Sequence, residues 1–208
     1  MTNTARATLR PVLADRLVPG STSIPKVVTD AALVLAGVAF VALLAQVEIP
    51  LWPVPITGQT LAVMLVGATL GARRGALSLT AYMVIGLLGA PIYAGHSVGS
   101  LAIPSFGFVI GFIPAAALIG WLSERSWDRH VVLSALGFLG ASLIPFAVGL
   151  PYLAMSLAQL HLPHTFADVL AAGFTPFIVG GIVKWAIAAG ALPLAWRASR
   201  ALDSRRGR

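Results

Sequence analysis

Apolar stretches dominate the chain, broken by short polar segments, and six of them are long enough to be helices of a membrane bundle. They run at about 28–47, 59–72, 75–90, 105–123, 131–158 and 173–196. A helix needs about 20 residues to cross the hydrocarbon core. The second and third segments are short by that measure, so the charged turn between them, Arg73-Arg74, must be tight. The fifth is long and carries Pro145 and Pro151, which predicts a tilt or a kink. The pattern as a whole predicts an all-α membrane protein with six transmembrane helices. Its expected organisation is an N-terminal tail over 1–27, a six-helix domain over 28–197 and a basic C-terminal tail over 198–208.

The positions of the charges give an independent test of that count. Of 14 Lys and Arg, thirteen fall in four clusters. These are Arg6, Arg10, Arg16 and Lys26; Arg73 and Arg74; Arg125 and Arg129; and Arg197, Arg200, Arg205, Arg206 and Arg208. The intervening segments 48–58, 91–104 and 159–172 hold Glu48 and Asp168 but no Lys or Arg. Cytoplasmic loops carry the excess of Lys and Arg, so both termini are expected to be cytoplasmic and the number of spans even. The fourteenth cation, Lys184, lies alone inside the last apolar segment. A charge there is costly and usually faces a partner, a polar cavity or an anionic ligand.

Composition supports the same class. The 208 residues are 58% hydrophobic and only 10% charged, too few polar groups to cover a soluble core. The net charge of +7 is spread as helix flanks rather than gathered into a patch, which argues against nucleic acid. The absence of cysteine excludes disulfides and thiol chemistry. Residues 1–26 have no apolar core of the secretory type, and Pro11, Pro19, Gly20 and Pro25 interrupt them; they read as a tail, mostly loose and in part helical. No Walker, dinucleotide, EF-hand or H-E-x-x-H pattern occurs. The chain therefore has no nucleotide motif with which to drive transport, and no cofactor is expected. Small residues recur every fourth position at Gly67, Gly71 and Gly75, at Gly107, Gly111 and Ala115, and at Ala32 and Ala36. Such ridges let helix backbones approach closely; for Ala32 and Ala36 a second reading is docking onto another membrane subunit.

The segments without cations carry the candidate chemistry. In EIPLWPVPITGQT, Pro50, Pro53 and Pro55 favour extended backbone. Thr57 and Gln59 then bring hydrogen-bonding groups to the start of the second helix, where Thr57 either caps that helix or lines a site. Gly95-His96-Ser97-Val98-Gly99 matches the G-x-S-x-G nucleophile pattern, with His161, His164 and Asp168 elsewhere on the same side. The hydrolase context of a strand before the serine is missing, and a glycine-rich loop folded over something is the preferred reading.

PVPITGQTLAVMLVGATLGARRGALSLTAYMVIGLLGAPIYAG, followed by PSFGFVIGF and PFIVGGIVKWAIAA, closely resembles the BioY family, the biotin-binding S components of energy-coupling factor (ECF) vitamin transporters. The likeness runs from about residue 30 to about 195. It is most specific at P-x-T-x-Q-T, at L-G-x-R-x-G-A-L over 70–77 and at P-F…G-x-x-x-K. The resemblance implies the ECF S-component fold in the cell membrane and capture of biotin near the outer face. It also implies a separate transmembrane coupling subunit and two ATPase subunits, with Ala32 and Ala36 on the docking face. Two departures stand out: Gly181 occupies the place where the family usually has Asp, and Pro104-Ser105-Phe106-Gly107-Phe108 replaces its P-T-G-G-Y-like stretch.

Biotin offers a carboxylate tail, a ureido ring and an apolar thiophane ring, so its site needs a cation, hydrogen-bonding groups and an apolar wall. The expected contacts are Lys184 to the carboxylate, Thr57, Gln59 and Ser97 to polar groups, and Tyr93, Tyr82 and Tyr152 as walls. Two other functions remain open on the residues alone: a stand-alone carrier for a small organic anion, and an intramembrane serine hydrolase using Ser97.

Overall fold

The computed structural model describes residues 11–17 and 25–206, with side chains through residue 201. Arg6 and Arg10, Arg208, and the side chains of Arg205 and Arg206 lie outside the described residues. Among the described residues eight α-helices follow one another: α1 (Leu13–Leu17), α2 (Lys26–Ala45), α3 (Gln59–Leu70), α4 (Ala72–Leu87), α5 (Phe106–Ser123), α6 (Val131–Gln159), α7 (Phe166–Gly173) and α8 (Phe177–Arg206). Between α2 and α3 a two-residue antiparallel ribbon pairs β1 (Glu48–Ile49) with β2 (Ile56–Thr57). Among the described residues α2, α5, α6 and α8 are long and apolar enough to cross a membrane, while α3 and α4 are shorter.

α5 is the axis of the bundle. Most of its residues are buried, and it packs against α3, α4 and α6. That closeness depends on small residues. A Cβ on Gly67 of α3 would stand 2.3 Å from Ile119 Cγ2 and 2.6 Å from Ala116 O of α5. A Cβ on Gly111 would stand 2.6 Å from Pro145 Cα of α6. The glycine ridges of the second and fourth apolar segments are thus used inside the molecule, where van der Waals packing replaces the hydrophobic drive that lipid cannot supply. Ala32 and Ala36 behave differently: both are exposed on α2, beside exposed Leu35 and Phe40.

The reversal between α3 and α4 falls two residues earlier than Arg73-Arg74. Gly71 makes it, with φ at +88°, where side chains are strained, and its N–H donates to Gly67 O (2.9 Å). Arg73 and Arg74 therefore open α4 instead of forming the turn. The Arg74 guanidinium reaches Asp15 of α1 and Asp30 of α2, each at 2.8 Å, tying three helices at one end. At the same end Arg129 donates to Pro11 O (2.9 Å), and the guanidinium groups of Arg16 and Arg129 lie over the Trp196 ring. Leu13 and Ala14 of α1 are buried, α1 packing against α3 and α8. At the other end, α7 occupies part of the segment expected to be loop. Its start is a capping box, Asp168 N–H donating to Thr165 Oγ1 and Thr165 N–H to Asp168 Oδ2. α8 runs on through Arg206 without a break at 197, Arg and Ala being good helix formers.

Candidate binding cavity

The ribbon decides where the cavity lies. Proline blocks a helix between Val47 and Ile56, and the chain folds back so that Glu48 pairs with Thr57 and Ile49 with Ile56. Gly58 then passes against α2, its N–H donating to Val47 O (2.8 Å); a Cβ there would stand 2.6 Å from Leu44 O. Beneath the ribbon, at the end of the bundle away from Arg74 and Arg129, is a cavity of about 350 Å³. That volume lies near the lower end for small-molecule sites. The Pro50–Pro55 loop and the loop around Tyr93 and Ser97 together roof it, and α3, α5, α6 and α8 supply the walls.

Five of the seven expected contacts line this cavity: Lys184, Thr57, Gln59, Ser97 and Tyr93. Lys184 Nζ donates to Thr57 O (2.5 Å) and to Thr60 Oγ1 (3.3 Å), which joins α8 to the start of α3. The ammonium is thus both part of the cavity lining and held by a main-chain oxygen. Thr57 and Gln59 form a closed set. Thr57 Oγ1–H donates to Gln59 Oε1 (2.8 Å), and Gln59 N–H donates to Thr57 Oγ1 (3.2 Å), so the threonine also satisfies a free amide at the helix start. Gln59 Nε2 donates to Tyr82 OH (2.7 Å), which in turn donates to Ile92 O (3.1 Å).

Tyr82 and Tyr152 are not among the lining residues. Tyr82 is wholly buried, and its hydroxyl joins Gln59 to the loop carbonyl of Ile92. Tyr152 donates to Leu101 O and packs on Phe106, steadying the same loop from α6. Both tyrosines support the cavity roof. Tyr93 does line the cavity, stacks at a tilt on Tyr82 with centroids 5.0 Å apart and donates to Met83 O (2.9 Å). Burial pushes its phenol up to about 12, so it remains a donor at neutral pH.

Three signals were missed at the level of sequence. Phenylalanines form the apolar wall: Phe106, Phe108 and Phe112 from α5, Phe146 from α6 and Phe177 from α8. Phe108, Phe146 and Phe177 also contact one another edge-to-face or stacked. Their spacing within uniformly apolar helices gives no hint of a shared face. Gln46 clamps the roof, donating to Tyr93 O (3.1 Å) and accepting from His96 N–H (3.0 Å). Glu48 and Thr60 line the cavity directly; in the sequence Glu48 reads only as a charge outside the basic clusters, and Thr60 directly follows Gln59.

The hydrolase constellation is not assembled by hydrogen bonds among the described residues. Ser97 Oγ donates to Ala94 O (2.7 Å), His164 Nδ1 contacts Leu162 O (2.9 Å), and Asp168 is engaged in the cap of α7. Gly181 leaves open space: a Cβ there would meet nothing within 4 Å. It borders a second, apolar space of about 260 Å³ between α3, α6 and α8 that also touches Lys184.

"Biotin transporter BioY" of Rhizobium etli is 34% identical over 168 residues, covering 76% of this chain and 86% of that protein. "Biotin transporter BioY" of Thermotoga maritima is 31% identical over 161 residues, covering 76% and 90%. "Probable biotin transporter BioY" of Pyrococcus horikoshii is 35% identical over 161 residues, covering 76% and 91%. A crystal structure of the S-component for biotin from an ECF-type ABC transporter superposes with a TM-score of 0.65 at 22% identity, over 84% of this chain and 95% of that one, which shows a shared fold. The model of the BioY family matches residues 14–201, nearly the whole helical bundle, and the chain belongs to that family.

Proposed function

We propose that this protein is the substrate-binding membrane subunit of an ATP-driven ECF transporter, capturing biotin at the outer face and delivering it to the cytoplasm. It is a transporter subunit and not an enzyme. The observation that carries the reading is the roofed cavity with one ammonium group, Lys184, inside an otherwise phenylalanine-rich wall. A carboxylate arriving there would take up the ammonium, whose other partners are a carbonyl and a hydroxyl. Thr57, Gln59 and Ser97 offer hydrogen bonds to the ring system, and Tyr93 with the phenylalanines offers the apolar surface. Tyr82 and Tyr152 act at one remove, by holding the roof.

The membrane arrangement that suits this role has six spans, α2 to α6 and α8, in the cell membrane with both termini cytoplasmic. Two observations support it. Arg74, Arg125, Arg129 and Arg197 all belong to segments at the end of the bundle opposite the cavity. The short α3 lies among α2, α4, α5 and α8, so protein rather than lipid surrounds most of it. Lacking a nucleotide motif of its own, the subunit would work with a transmembrane coupling subunit and two ATPase subunits. The exposed Ala32 and Ala36 of α2 are the proposed docking face.

Titration of purified protein with biotin and with biotin methyl ester tests the assignment. Saturable one-to-one binding of the free acid, weakened at least tenfold in the ester by loss of a charge-assisted contact, is expected. No binding of the free acid would overturn it. Uptake that persists without an ATPase module would favour the stand-alone carrier instead.

A further inference from the structure

The cavity is lined by one charged group of each sign, Glu48 and Lys184. They form no ion pair with one another, although β1–β2 pairing sets Glu48 directly opposite Thr57, the residue whose carbonyl holds Lys184. Lys184 is drawn toward Thr57 O and Thr60 Oγ1. The Glu48 carboxylate is turned toward Gly95, where a Cβ would stand 2.8 Å from its Oε1. Glycine at 95 suits a backbone with φ at +62° and leaves room for the carboxylate. Among the described residues no group donates a hydrogen bond to the Glu48 side chain. Opposite charges in one cavity, each left with capacity to spare, complement a ligand that is an acid at one end and a hydrogen-bond donor at the other.

We propose that Glu48 is a specificity-determining residue: its carboxylate accepts from the ring N–H groups of the ligand while Lys184 holds the carboxylate tail. The assignment rests on the biotin reading above and adds a second polar anchor to it. A ureido ring has two N–H donors on its edge, and a carboxylate with free lone pairs is the acceptor that fits them. Replacing the ring carbonyl by C=NH2+, as in 2-iminobiotin, keeps the tail and adds a positive charge next to Glu48.

Calorimetric titration with biotin and 2-iminobiotin at neutral pH separates the two anchors. Glu48→Gln is expected to weaken 2-iminobiotin about tenfold more than biotin, since charge-assisted hydrogen bonds are roughly twice as strong as neutral ones. Lys184→Met is expected to weaken both ligands alike, because they share one tail. A ratio of affinities that Glu48→Gln leaves within about twofold of the wild-type ratio overturns the assignment while the biotin reading stands. A second measurement needs no variant: biotin methylated on a ring nitrogen should bind the wild type at least several-fold more weakly. Equal binding of that derivative overturns the assignment as well. A wild type that binds neither biotin nor 2-iminobiotin removes the functional reading itself.

Discussion

Lys184 does two things at once, and they are separable. Its ammonium ties α8 to the start of α3 through Thr57 O and Thr60 Oγ1, and it supplies the cavity's positive charge. Lys184→Met keeps the stem and removes the charge; a hydrogen bond to a charged group contributes about 1.5–3 kcal/mol, so biotin affinity should fall about 10- to 100-fold. Titration of the folded variant checks this, and unchanged affinity would take Lys184 out of the site. The cation itself was legible in the sequence because it stood alone in an apolar run. Which tyrosines face the cavity was not legible. All three of Tyr82, Tyr93 and Tyr152 give their hydroxyls to backbone carbonyls, of Ile92, Met83 and Leu101, yet only Tyr93 lines the cavity. Where a loop carbonyl ends up depends on the whole chain path, which side-chain type does not encode.

Element boundaries were largely legible, because the apolar runs and their polar breaks are long. The exceptions have local causes. The α3–α4 reversal uses Gly71 instead of the adjacent arginines, since a positive φ decides the turn and charge does not. α7 escaped notice because it is only eight residues long; its signature is the Thr165-x-x-Asp168 box rather than an apolar run. The packing of α3 on α5 gives a sharp test. Gly67→Leu would drive its Cβ into Ile119 and the Ala116 carbonyl, and overpacking of this kind costs about 1–3 kcal/mol. Gly140→Ala meets nothing within 4 Å and should stabilise α6 by about 0.5–1 kcal/mol through helix propensity alone. Thermal unfolding of the two purified variants should move in opposite directions.

Across the whole molecule the two ends differ in chemistry: one carries the cavity, the other a joint of arginines, acids and tryptophan. Asp128 is the buried acid of that joint, its carboxylate accepting from Trp196 Nε1–H. Burial pushes the Asp128 carboxyl up, against the pull of Trp196 and Arg129 in the opposite direction. Between the ordinary value near 3.8 and the raised one, the unfolded chain has lost this proton and the native protein has kept it. Stability from this group is therefore full below that window and falls as pH rises through it. Asp128→Asn should flatten that part of the profile of thermal midpoint against pH; an unaltered slope would show that Asp128 does not titrate there.

The brevity of α3 has a consequence for how far a captured molecule must travel. Thr57 and Thr60, which line the cavity and hold Lys184, stand at one end of a 12-residue helix and Gly71 at the other. At about 1.5 Å per residue that is only about 18 Å, little more than half the thickness of the hydrocarbon slab. With α3 set across the membrane as proposed, cargo beside Thr60 would already lie well inside the span, and a modest rocking of the bundle would complete the rest of the journey.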